Sequence, residues 1–141
     1  MKLTEATTRI AIQNILFATD FSPVSETALL FAESVSRRYG SKLTVAHVIS
    51  PTETRMVPPE GWGACQQALD DAASFQMGEL EKRLARFPHE CTIRHGLVGD
   101  AISELIEQKA ADLVVMAPTL VLLVVGQKQF VRGLTAGALK G

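Results

Sequence analysis

The stretch ILFATDFSPVSETAL, residues 15–29, contains a complete change from strand to helix. Its first four residues are apolar without alternation, which is typical of a strand buried on both faces of a sheet. Asp20 and Phe21 follow, and then Ser22-Pro23. Serine is a favoured N-cap, and proline suits the first helical turn because its missing N–H would have no partner there. The stretch therefore predicts a β-α unit with a turn at the carboxyl end of the strand.

The rest of the chain repeats this alternation. The predicted elements are strands at 15–18, 43–49, 90–95 and 113–116, and helices at 23–39, 64–87 and 100–110. The alternating character of 90–95 predicts an edge strand. This order predicts one α/β domain over residues 1–141: an open, mainly parallel, twisted, Rossmann-like sheet with helices on both faces. In such sheets ligands bind at the carboxyl ends of the strands.

Composition excludes several classes of protein. The chain is 47% hydrophobic and 21% charged with a formal net charge of −1, so no overall positive field favours nucleic acid or an anionic membrane. Cys65 and Cys91 lie far apart, which is neither a disulfide framework nor a CxxC pattern. The first residues lack the apolar core of a signal peptide, and no apolar run is long enough to span a bilayer. We expect a cytoplasmic protein.

Three segments together resemble the universal stress protein family: ILFATDFSPVSETAL, LTVAHVI and GLVGDAISELIEQKAADLVVM. The resemblance covers residues 13–117. It implies a fold like that of the adenine nucleotide alpha hydrolases, a homodimer, and a role in stress survival through binding rather than turnover. One branch of the family binds ATP and another does not.

The resemblance also implies positions for a nucleotide pocket. In the ATP-binding branch the Asp after the first strand contacts the nucleoside, and Asp20 occupies that position. The other implied pocket residues are Ala18, Thr19, Val48, Met116 and Ala117. Val48 would touch adenine through its backbone. The alternative for Asp20 is a turn former ahead of a helix, a common role for aspartate.

The phosphate-binding part departs from the family pattern. ATP-binding members continue from the Met with a glycine-rich turn, whose N–H groups hold phosphate. This chain has Ala117-Pro118-Thr119 instead, and proline has no N–H. Weak candidates for phosphate contacts are Gly126, Gly133 and Thr135. Residues 118–141 are therefore an atypical segment, and we expect an impaired or absent triphosphate site. ATP binding with Mg²⁺ at Asp20 and Val48 is the alternative.

A further strand is predicted at residues 120–125, which run from Leu120 to Val125. Its link to Leu113–Met116 is too short for a parallel crossover in the same sheet. It could extend the fourth strand or pair with another subunit, and the family resemblance favours a homodimer through this strand.

The remaining sequence patterns do not indicate a functional site. His89, Cys91 and His95 share one face of a strand, but Ile93 lies there too and no fourth ligand is evident, so we expect no metal other than Mg²⁺ with ATP. No residue set resembles a catalytic group, so no enzyme is predicted; slow ATP hydrolysis would need the missing loop. Residues 50–63, rich in proline and glycine, form a variable loop.

Overall fold

A computed structural model describes residues 10–117 and the short strand at 123–124. Its centre is a sheet in the order β3-β2-β1-β4-β5. The strands are β1 (Asn14–Ala18), β2 (Lys42–Ile49), β3 (His89–His95), β4 (Leu113–Met116) and β5 (Leu123–Val124). The first four are mutually parallel, and β3 lies at an edge, as predicted. The α/β fold class expected from the sequence is confirmed.

The helices are α1 (Pro23–Tyr39), α2 (Trp62–Arg83) and α3 (Val98–Gln108). The first begins and ends as its sequence predicts. Ser22 is the N-cap, and its hydroxyl accepts a hydrogen bond from the Ser25 N–H. Gly40 ends the helix at φ 66°, in the left-handed region, and its N–H donates to the Ser36 carbonyl.

Apolar side chains bury both faces of the sheet. Helices α1 and α2 cover one face, where Phe17, Leu29 and Met77 belong to one cluster. Helix α3 covers the other face, where Ile102, Leu105 and Ile106 pack on Leu16 and Val114. Because β1 and β2 contribute residues to both clusters, their apolar runs show no alternation.

Helix α2 ends earlier than the predicted residue 87. Leu84 is its C-cap, and the N–H of Phe87 donates to the Leu84 carbonyl in the turn beyond. Leu84 is nevertheless buried and Phe87 packs against the same core. The apolar pattern thus continues past the end of the helix because the turn keeps both side chains on the core. Helical spacing alone does not distinguish a residue in the helix from one in the turn that follows it.

The strand after β4 does not extend the fourth strand, and its expected pairing with another subunit stays a prediction. Leu123–Val124 pairs antiparallel with β4 in the same chain, with Leu113 opposite Val124. A short link permits antiparallel pairing, because the chain only has to reverse. The exclusion of parallel pairing was right, but extension of the fourth strand is wrong, and the intrachain antiparallel alternative was missed.

Within the described residues, no helix combines the length and apolar character needed to cross a bilayer.

A candidate nucleoside cleft at the carboxyl ends of the strands

Three strand ends meet at one edge of the sheet. Ala18, the last residue of β1, lies opposite Ala46 of β2 and Met116 of β4. Strand β2, which follows β1 in the chain, lies on one side of β1, and β4 lies on its other side. The strand order therefore reverses at β1. A crevice outside the carboxyl ends at such a reversal is the usual ligand site of open α/β sheets.

A cleft of about 320 Å³ occupies this position. All six residues that the family resemblance assigns to a nucleotide pocket line it: Ala18, Thr19, Asp20, Val48, Met116 and Ala117. They come from three chain segments that are distant in sequence. Their role as ligand contacts remains a prediction, but the structure does bring them together.

Six further residues line the same cleft and were not predicted: Ala46, His47, Ser50, Glu53, Val98 and Ile102. Two sequence signals could have found some of them. Ser50 and Glu53 have the S-x-x-E spacing of a capping box, which places both at one helix start. Val98 and Ile102 are four residues apart, so they share one face of α3.

Asp20 organises the turn between β1 and α1. Its Oδ1 accepts hydrogen bonds from the Ser22 N–H at 2.9 Å and from the Ser25 hydroxyl at 2.5 Å. Ser25 is buried, with 1% of its surface exposed, whereas Asp20 is exposed. The turn-forming interpretation of Asp20 is therefore supported by its contacts. Both roles are compatible, since the residue also lines the cleft.

These hydrogen bonds strengthen the preference of Asp20 for its ionised form. Those from Ser22 and Ser25 lower its pKa from 3.8 to about 2, because they stabilise the carboxylate and outweigh the opposing effect of burial. Asp20 is consequently ionised at any physiological pH and presents a fixed negative charge to the cleft.

His47 and Phe21 stabilise the turn between β1 and α1. The Nδ1 of His47 lies 2.8 Å from the Thr19 carbonyl oxygen, so this nitrogen carries the hydrogen and donates a hydrogen bond to that oxygen. The ring of Phe21 stacks on the imidazole with centroids 4.5 Å apart. Phe21 has φ 62°, an uncommon conformation for a residue with a side chain. We infer that the aromatic contact and the turn hydrogen bonds together hold it there.

The predicted variable loop supplies one rim of the cleft. It contains two short 3₁₀ turns, Pro51–Thr54 and Pro59–Gly61. Ser50 caps the first of these turns, and Glu53 reaches back to the Ser50 N–H at 3.4 Å. The capping box thus places a second carboxylate, that of Glu53, beside the cleft that Asp20 already borders.

The weak phosphate candidates Gly126, Gly133 and Thr135 lie outside the described residues. Ala117, the last residue of the continuous described stretch 10–117, is half-buried at the edge of the cleft.

A second cleft, of about 280 Å³, lies on the opposite face of the sheet between α1 and α2. Its walls include Phe21, Leu29 and Leu80. Arg83, the cationic residue of its lining, is paired with Glu26 at 3.0 Å and with Glu33 at 3.4 Å. We favour the first cleft as the functional site because it lies where the strand order reverses and collects the predicted residues.

Of the three strand residues that share one face, the two histidines lie apart in the structure. The Nε2 of His95 lies 2.6 Å from an Asp70 carboxylate oxygen, at the carboxyl end of β3. His89 is at the opposite end of the same strand, where its Nδ1 lies 2.8 Å from the Phe87 carbonyl oxygen.

Parallel strands, covering helices and a cleft at the strand reversal define an open α/β domain with a Rossmann-like fold. A sequence model of the universal stress protein family matches residues 11–119. This chain belongs to the universal stress protein family, as its resemblance to that family predicts.

Solved structures show the same fold. Universal stress protein UspA from Lactobacillus plantarum is 20% identical, with a TM-score of 0.67 over 89% of this chain and 93% of that one. The hypothetical protein MJ0577 is 24% identical, with a TM-score of 0.69 over 76% and 75% of the two chains. A family member from Burkholderia pseudomallei is 17% identical, with a TM-score of 0.57 over 76% and 82%. A search of curated proteins gave no significant match to the sequence.

Proposed function

We propose that this stress protein binds the nucleoside part of an adenine nucleotide in the first cleft and holds a triphosphate poorly. The observation that carries the proposal is the convergence of Asp20, Val48 and Met116, with the three other implied pocket residues, on one cleft. Its volume of about 320 Å³ is at the lower end of the range for ligand pockets, about 300–1,000 Å³. A nucleoside matches this size better than a complete triphosphate.

The walls of the cleft suit a base and a ribose. Ala46, Val48, Ile102 and Met116 provide apolar surface for a planar ring. Asp20 is a permanent carboxylate at the end of β1, and a carboxylate there accepts hydrogen bonds from ribose hydroxyls. These features support recognition of adenosine by its base and sugar.

The charges around the cleft oppose a triphosphate. Asp20 and Glu53 both line it, and its described lining includes neither lysine nor arginine. Two carboxylates attract hydroxyl donors but repel phosphate oxygens. The sequence after Met116 adds Pro118 in place of the glycine turn, which removes an N–H donor. The two arguments are independent, and both favour a ligand without a phosphate chain.

Calorimetric titration with adenosine, AMP and Mg²⁺-ATP tests the proposal. We expect adenosine and AMP to bind, with ATP no tighter than AMP. Asp20→Asn should weaken adenosine binding about tenfold or more through loss of a charged hydrogen bond, while its amide oxygen can still accept in the turn. Glu26→Gln, which alters a carboxylate of the second cleft, is the matched control and should leave binding unchanged.

Two results would contradict this function. Absence of adenosine binding at millimolar concentration would mean that the cleft is not a nucleoside site. ATP binding tenfold tighter than AMP would mean that phosphate donors exist that the charges of the cleft do not provide.

We also propose that the chain forms a homodimer through the segment from Leu120 to Val125. In support, β5 is the last strand of the described sheet on its side, so its outer backbone edge has no neighbour among the described residues. Such an edge favours pairing with a second chain. Light scattering at micromolar concentration should give twice the 15.3 kDa mass of one chain, and a monomer would contradict the proposal.

A further inference from the structure

Three side chains that commonly bind metals meet at the end of the sheet opposite the nucleoside cleft. His89 and Cys91 lie two residues apart on β3, and Glu81 lies on the last turns of α2, which packs against that strand. One carboxylate oxygen, one ring nitrogen and the thiol sulfur lie within 4.8 Å of one another. The third member was invisible in the sequence because it comes from the preceding helix rather than from the strand.

This spacing is close to that of a coordination site. Zinc binds sulfur at about 2.3 Å and nitrogen or oxygen at about 2.0–2.2 Å, so ligand atoms in a tetrahedral site lie about 3.5 Å apart. Glu81 is exposed, and its long side chain is the one best able to change rotamer when an ion binds.

The hydrogen bond that His89 makes leaves its other ring nitrogen available to an ion. Its Nδ1 lies 2.8 Å from the Phe87 carbonyl oxygen, so this nitrogen carries the proton and Nε2 keeps its lone pair. Metal-binding histidines almost always donate their other N–H to a carbonyl or a carboxylate in this way. This hydrogen bond is independent of the clustering and points to the same use of the ring.

The surroundings leave access for an ion and for water. Glu81 is exposed, and His89 and Cys91 are half-buried. A surface cleft of about 260 Å³ borders Glu81 and Cys91, with Met77 and Ile93 as apolar walls. Three protein ligands beside solvent leave the fourth position of a tetrahedral ion to water.

We propose that Glu81, His89 and Cys91 form a binding site for a divalent transition metal, with zinc as the best fit and water as the fourth ligand. The kinds of ligand atom determine this choice of metal. Thiolate and imidazole favour zinc and its neighbours, whereas magnesium and calcium require oxygen donors. The bound ion ties the end of α2 to the edge strand, so it stabilises the folded chain.

Cobalt(II) titration of the reduced full-length protein tests the site, because a cobalt–thiolate bond gives a charge-transfer absorption band. We expect one equivalent of cobalt to produce the band and zinc to displace it. Cys91→Ser should abolish the band, and Cys65→Ser, which alters the other cysteine, should leave it unchanged. Glu81→Gln, at an exposed position, should fold normally and weaken binding about tenfold or more.

Several results would refute the proposed metal site. The site is refuted if cobalt gives no thiolate band, if the band survives Cys91→Ser, or if Glu81→Gln binds as tightly as the unaltered protein. A rise in melting temperature with zinc that is equal in the Glu81→Gln variant would also refute it. Magnesium should produce no such rise, and one as large as that with zinc would overturn the proposed donor chemistry.

Discussion

Replacement of Ser25 by alanine would test the turn that bounds the first cleft. The Ser25 hydroxyl donates to the Asp20 carboxylate at 2.5 Å and accepts from the Asp20 N–H at 3.3 Å. The Ser25 side chain is buried, so water cannot take its place without entering the core. Ser25→Ala therefore removes both interactions while it leaves almost no cavity, because it deletes a single atom.

The magnitude follows from the charge of the acceptor. A hydrogen bond to a charged group contributes about 1.5–3 kcal/mol to stability. Asp20 is exposed, so water recovers part of that loss, and we expect a decrease of about 1.5 kcal/mol in the free energy of unfolding at pH 7. For a chain of this length that corresponds to a fall of about 5 °C in melting temperature.

The effect should depend on pH in a defined direction. Hydrogen bonds in the folded state lower the pKa of Asp20 from 3.8 to about 2, so its contribution to stability is complete above pH 4 and declines as the pH falls toward 2. Without Ser25 the pKa of Asp20 should rise toward its ordinary value. The difference in stability between the two proteins should therefore shrink between pH 4 and pH 2.

Urea denaturation at pH 7 and at pH 2.5 measures both effects. The control is Ser34→Ala on the same helix, whose exposed hydroxyl donates to the Leu30 carbonyl; it should change stability by less than about 0.5 kcal/mol. A loss below that value for Ser25→Ala would refute the reasoning. So would a loss of equal size at both pH values.

Three other changes address the core, a helix end and the sheet edge. Leu105→Ala should cost about 3 kcal/mol in urea denaturation, since Leu105 is 0% exposed, and a cost below about 1 kcal/mol would contradict its burial. Gly40→Ala should lower stability in thermal melts by about 1 kcal/mol, because φ 66° strains any side chain; an unchanged melt would mean that the cap relaxes freely. Lys109 and Lys42 lower the pKa of Glu90 from 4.5, so its contribution is lost as the pH falls below that value. Glu90→Gln should thus flatten the acid limb of the stability curve and cost under about 1 kcal/mol at pH 7, and an unchanged acid limb would contradict the pairing.

The fold was predictable where local signals were strong. Ser22 caps the start of α1 as expected and Gly40 caps its end, because a side-chain oxygen and a left-handed glycine act on their own neighbours in the chain. The predicted end of α2 at residue 87 was wrong for the opposite reason. Phe87 is apolar and packs on the core, but it does so from a turn, and periodicity does not distinguish the two.

The candidate site was partly predictable. Asp20 and Met116 were found because family motifs mark the ends of their strands, and both line the cleft. His47 was not among the predicted residues, and it is both hydrogen-bonded and at the cleft. Its double role depends on the turn above it, which brings the Thr19 carbonyl to its ring.

The alternation of strands and helices, the N-cap of α1 and the apolar residues that face the sheet can all be read from the amino-acid order. These properties depend on residues within one or two turns of each other, so the local pattern contains them. Three contacts become visible in the folded chain alone: Leu123–Val124 reverses to pair with β4, Glu53 joins Asp20 at one cleft, and Glu81 meets His89 and Cys91. Those contacts depend on how segments far apart in the sequence pack together, and residue spacing along the chain does not specify that packing.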